Sequence, residues 1–118
     1  MITRAQVFQV IKERYGAEPD YPWARSPNYA IFRHQHNRKW FAAVIDIPED
    51  KLGLPSKKMI DSMLLKCDPF LIGSLRKEPG IFPAYHMNKE HWISIHLERI
   101  APEKLLELID MSYRLTKN

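Results

Sequence analysis

Residues His86-Met87-Asn88-Lys89-Glu90-His91-Trp92 place imidazole, amide, ammonium and indole groups close together in the chain. Such a set can meet a nucleic acid: lysine pairs with phosphate, asparagine hydrogen-bonds a base edge, and tryptophan stacks on a base for about 1–3 kcal/mol. A purely structural role accounts for the same residues. In that role Asn88 closes a turn, His91 bonds backbone, and Trp92 packs on a neighbouring element while its N–H finds one acceptor. If the segment works as a site, His86, Asn88, Lys89, His91 and Trp92 are its residues.

The densest basic spots are Arg33 with Arg38-Lys39, and Lys57-Lys58. Arg33, Arg38 and Lys39 flank a polar stretch that reads as a hairpin turn, so they could form a wing tip against phosphates or simply be a solvated turn. A few phosphate contacts of this kind give only weak, salt-sensitive binding. The histidines at 34, 36, 86, 91 and 96 do not converge as metal ligands, since a site needs three or four groups on one centre. His34 and His36 fall in the turn, and His91 and His96 are an odd number of residues apart along an expected strand, hence on opposite faces. No metal is expected.

Cys67 is the sole cysteine, which rules out an internal disulfide and a multi-cysteine zinc site. Lys66 and a helix start at Asp68-Pro69 would suit a thiolate, but a small buried residue ending a strand is the expectation for Cys67. There is no glycine-rich phosphate loop, no nucleophile elbow and no paired-carboxylate motif, and Asp46 and Asp61 read as strand-edge or turn residues. The chain is therefore read as a binding module without catalytic residues or a cofactor.

These residues must be positioned by regular elements. Thr3-Arg4-Ala5-Gln6 fits a capping box, Val7, Val10, Ile11 and Arg14 follow at helical spacing, and Gly16 stands where a left-handed stop is favoured. The prolines at 19, 22 and 27 make residues 17–28 a loop that carries Tyr21 and Trp23. Tyr29 to Arg33 and Lys39 to Ile47 read as antiparallel strands, and Met59 to Cys67 as a third with period-two apolar side chains. Asp68-Pro69 opens a short helix that Glu78-Pro79-Gly80 ends. Ile81 to His86 then runs extended, and His91 to Glu98 alternates cleanly, with Ile93, Ile95 and Leu97 on one side and Trp92, Ser94, His96 and Glu98 on the other. Pro102 and Glu103 open a closing helix with Leu105, Leu106, Leu108, Ile109 and Tyr113 at helical spacing. The order has no alternating βαβ rhythm. It predicts an α+β fold: an antiparallel sheet of about five strands covered on one face by N-terminal, middle and C-terminal helices, with residues 1–118 forming one domain.

The composition agrees with that size of fold. A chain of 118 residues buries roughly two thirds of its unfolded surface, and 45% hydrophobic against 27% charged residues is the balance of a folded domain. The net charge of +4 mildly favours anionic partners. Neither a signal-peptide pattern at the start nor an apolar run long enough to span a membrane is present, so a cytoplasmic location and no membrane partner are expected.

The segment Asp68-Pro69 to Leu75-Arg76, followed by Pro79-Gly80-Ile81-Phe82-Pro83-Ala84-Tyr85-His86-Met87-Asn88-Lys89-Glu90-His91-Trp92, resembles the signature region of the MmcQ/YjbR family. Its most specific part is His86-x-Asn88-Lys89-x-His91-Trp92, and the resemblance extends to Trp40-Phe41-Ala42 and to a closing helix with Asp110 and Tyr113. It implies a CyaY-like fold, similar to bacterial frataxin, with a double wing proposed to bind DNA. Iron handling of the frataxin kind needs clustered carboxylates, whereas Glu13 stands alone among Arg4, Lys12 and Arg14 in the first helix. The expected partner is thus DNA, bound weakly through the basic hairpin and the Asn88–Trp92 turn. The alternative is a protein-interaction or small-ligand domain in which Trp23, Tyr85 and Trp92 line an apolar pocket. An enzyme using His86 or His91 as a base would need a titratable partner beside it in a cleft.

Overall fold

Hydrogen bonds at the first helix start show how closely local chemistry follows the sequence. In the computed structural model, which describes all 118 residues, the Thr3 hydroxyl accepts from the Gln6 amide and the Gln6 side chain accepts from the Thr3 amide. This capping box opens α1 (Arg4–Tyr15), and Gly16 closes it at φ 65°, a conformation that an L side chain resists. Then come β1 (Ala30–Arg33), β2 (Trp40–Pro48), a 3-10 turn (Glu49–Leu52), β3 (Met59–Lys66), α2 (Pro69–Leu75), β4 (Ile81–Pro83), β5 (Trp92–His96) and α3 (Pro102–Leu115). The Asp68 carboxylate caps α2 by accepting from the Phe70 amide.

The five strands form one antiparallel sheet in the order β1-β2-β3-β5-β4. Two strands are shorter than the sequence suggests. The stretch after Ile81 leaves the sheet at Pro83, because Pro83 has no amide to donate and His86 adopts a left-handed φ of 63°. The strand from Trp92 stops at His96, where the Arg99 amide turns back onto the His96 carbonyl.

All three helices pack on one face, as alternation along the strands requires. Val7, Ile11, Ile72, Leu75, Leu105, Leu108 and Ile109 meet Phe32, Val44, Met63, Leu65, Ile93 and Ile95 in the larger of two cores. Cys67 is buried there, and burial pushes its thiol up to about 11, which makes it an inert packing residue. On the opposite face Ile31, Ala43, Ile45, Ile47, Ile60 and Leu64 form a smaller core covered by Leu52, Ala84 and partly buried aromatic side chains, without a helix.

A bulge decides which residues reach each face. Phe32 pairs with Ala42 but Arg33 pairs with Trp40, so Phe41 is an extra residue in β2. Phe41 therefore joins the helix-side core while Trp40 packs on the other. Ser112 of α3 repairs the ladder beside it. Its hydroxyl donates to the Phe41 carbonyl at 2.5 Å and accepts from the Lys66 amide at 2.9 Å, where β2 and β3 part.

Candidate functional site

The face that lacks helices holds a cavity of about 370 Å³. Ile31, Ala43, Ile45 and Leu64 form its floor, Trp23, Tyr29 and Trp40 one wall, and His86 and Met87 the other. Strand alternation supplies the floor and Tyr29, the bulge supplies Trp40, and Trp23 arrives from the loop after α1. That loop is fixed where Asp20 and Ile31 exchange backbone hydrogen bonds at 2.8 Å. The Trp23 ring stands at 87° to Tyr29 and 77° to Trp40, with centroids 6.1 and 5.6 Å away, an edge-to-face arrangement favoured by the ring quadrupoles. Burial, with Tyr85 and Asp46 nearby, raises the Tyr29 phenol above its ordinary value and keeps it protonated.

The residues singled out in the His86–Trp92 segment have different duties. His86 lines the cavity. Its ring lies 3.9 Å from that of Tyr85, and its backbone holds the left-handed conformation uncommon for a non-glycine residue. The Asn88 side chain accepts from the Glu90 amide at 2.7 Å, and its carbonyl receives the His91 and Trp92 amides, so it closes the turn. The Lys89 side chain is exposed, and its carbonyl accepts from the Arg76 guanidinium at 2.6 Å. His91 is exposed, and its carbonyl accepts from the Cys67 amide. Trp92 is half-buried against the smaller core, across from Lys66, and neither it nor Tyr85 lines the cavity.

In the β1–β2 turn the cations already have partners. Arg33 meets Asp20 at 3.1 Å and lies over the Trp40 ring, while Arg38 reaches the same carboxylate at 3.7 Å. The Lys39 ammonium donates to the Asn118 carbonyl. His36 bonds the Lys117 carbonyl and Asn37 the Thr116 carbonyl, so this turn grips residues 116–118. His34 is buried against the Thr116 hydroxyl, and burial lowers its pKa. The pairing of β1 with β2 and of β3 with β5 sets this turn and the β4–β5 connection at the same end of the sheet.

A buried polar pair lies elsewhere on the same face. His96 Nδ1 accepts from the Glu98 amide, which leaves Nε2–H to donate to Glu49 at 2.6 Å, and Arg99 stands 3.6 Å from the same carboxylate oxygen. The His96 hydrogen bond outweighs burial and holds the Glu49 carboxyl below its usual range. No group of three or more His, Cys, Asp and Glu side chains is placed to hold a metal ion.

Comparison with known proteins fits this geometry to a family. The sequence model described as YjbR matches residues 12–115. The chain belongs to the YjbR family. It is 48% identical over 118 residues to the uncharacterized protein YyaQ of Bacillus subtilis, covering 99% of this chain and 100% of that one. A crystal structure of a Pseudomonas syringae protein superimposes with a TM-score of 0.95 at 46% identity, covering 98% of this chain and 99% of that one. A Deinococcus radiodurans crystal structure shares the fold at a TM-score of 0.72 and 24% identity, over 100% of this chain and 80% of that one.

Of the site residues chosen from the sequence, only His86 lines the cavity, and the others in its segment build the turn that carries it. Tyr29, Trp40, Ser26 and Met87 were not legible as site residues. Tyr29 and Trp40 read as ordinary strand aromatics, and only the bulge, set by pairing between strands, turns Trp40 toward the cavity.

Proposed function

We propose that this YjbR domain is a small-molecule binding module rather than an enzyme, with the cavity on its helix-free sheet face as the site. The observation that carries this reading is the aromatic, largely apolar cavity of about 370 Å³, floored by the sheet and walled by the Trp23–Tyr29 segment, Trp40 and the His86–Met87 segment. Its size and lining are those of small-ligand sites, in which apolar walls surround a few polar groups. A fragment screen by amide NMR, with the Ala43→Leu variant as control, tests it. Ligands should shift Tyr29, Ala43 and His86 in the wild type and lose affinity at least tenfold when the added side chain fills the floor. A protein whose cavity resonances no fragment moves would end this reading.

Nucleic-acid contact is a second reading, supported by the placement of both turns at one end of the sheet and by Phe70, 95% exposed at the start of the adjoining α2. Arg33, Arg38 and Lys39 have partners within the chain, so of the cations singled out from the sequence at this end Lys89 is the one left to a phosphate. Fluorescence anisotropy with short duplex and single-stranded DNA checks it. Binding should fall steeply with salt and weaken in Lys89→Ala; no binding at low salt, where the electrostatic contribution is greatest, removes it.

A further inference from the structure

Taking the cavity as the binding site, we infer that its occupant is an uncharged, planar aromatic molecule of one or two rings that presents a hydrogen-bonding edge to His86. Charge is the first constraint. Of 10 lining residues 8 are hydrophobic, the others being Ser26 and His86, and no carboxylate, lysine or arginine is among them. An ionised group seated against this lining would exchange water for apolar side chains and meet no countercharge within it. The phenol of Tyr29 is held protonated by its surroundings and adds no charge.

Size is the second constraint. A volume of about 370 Å³ holds on the order of a dozen water-sized groups at ~30 Å³ each, which suits one or two rings seated on the floor. Planarity follows from the wall. Because Trp23 stands nearly perpendicular to both Tyr29 and Trp40, a flat guest stacked on one ring presents its edge to another, and both contacts have favoured geometry. An aliphatic guest of equal volume gains burial without those contacts.

The polar edge follows from His86. His86 shares the polar part of the lining with Ser26 alone, its ring is supported by the Tyr85 ring at 3.9 Å, and either ring nitrogen can donate or accept according to tautomer. Its φ of 63°, like the 61° of Arg38 in the β1–β2 turn, is uncommon for a residue with a side chain, and at position 86 it falls on the cavity wall.

Four probes of related size separate these requirements: quinoline, naphthalene, cyclohexylmethanol and 2-naphthoate, titrated at pH 7.5 with amide NMR as the readout. Quinoline should bind tightest, at least threefold ahead of naphthalene and tenfold ahead of the other two. In His86→Ala quinoline should fall to the level of naphthalene, and His86→Asn, which tolerates positive φ and keeps a hydrogen-bonding group, should restore part of the difference. Retained dispersion of the spectrum verifies folding of each variant. Equal affinity for cyclohexylmethanol overturns planarity, tighter binding of 2-naphthoate overturns neutrality, and an unchanged quinoline preference in His86→Ala overturns the role of His86. In each of those cases the cavity still binds. If none of the four shifts cavity resonances, the cavity itself is not the site.

Discussion

The two faces of the sheet are built from the same strands yet are finished differently. Helices cover one, and their side chains interleave with those of the strands until 21 buried residues form a continuous core. Loops and a single 3-10 turn cover the other, and its core of 8 buried residues sits beside an unfilled cavity and a buried carboxylate–imidazole pair. A helix brings a side chain down every third or fourth residue, whereas a loop must spend many of its groups on its own backbone. The loop-covered side therefore keeps the cavity walled by Trp23, Tyr29 and Trp40 together with the Glu49–His96 pair, and those are what a ligand can use.

Trp40 and Phe41 put that contrast to a direct test, since they are neighbours in sequence on opposite faces. Phe41→Ala should cost about 3–5 kcal/mol in urea unfolding, because Phe41 is fully buried against Tyr15, His34 and Tyr113. Gly80→Ala should come next, at about 1–3 kcal/mol by the same measurement. Gly80 has φ 82°, and an added Cβ would stand 2.8 Å from the backbone nitrogen of Ile100, a residue of the helix-side core. Trp40→Ala should cost less than Phe41→Ala, about 1–2 kcal/mol, since Trp40 is only partly buried. It should nonetheless abolish fragment binding in the cavity. Equal losses at 40 and 41 would show that the faces are equally packed.

The smallest effect at neutral pH belongs to Glu49→Gln, since glutamine still accepts from His96. The difference appears in acid. The folded-state carboxyl of Glu49 lies below its usual range, so its contribution is present above the unfolded value of about pH 4.3 and lost as pH falls through the folded one. Urea midpoints of the variant should decline less steeply than those of the wild type below about pH 4.3. Parallel slopes would show that the pair is silent.

Much of this fold was legible in the sequence because it is set locally. The Thr3–Gln6 box, the Gly16 stop and the Asp68-Pro69 start each depend on a few adjacent residues, and all are found. Period-two alternation placed Ile93 and Ile95 in the core, and the family resemblance held across the chain. The ends of β4 and β5 were misjudged because apolar alternation continues into Ala84 and Leu97 after backbone pairing has stopped. The site was harder to see. Asn88 carried its turn signal openly, whereas the cavity depends on a register shift, on Trp23 arriving from a proline-rich loop and on Met87 leaving the sheet. The partners of Arg33 and Lys39, Asp20 and the residue 118 carbonyl, are likewise fixed only by the tertiary fold.

The Ser112 hydroxyl, bonded to both the Phe41 carbonyl and the Lys66 amide, has a consequence for how the molecule opens. Lifting α3 away strips both groups of their partner, so opening of α3 is coupled to opening of this end of the β2–β3 pair. Native-state hydrogen exchange should report one opening free energy for the Lys66 amide and the middle of α3, with the loop that carries Trp23 exchanging well before either.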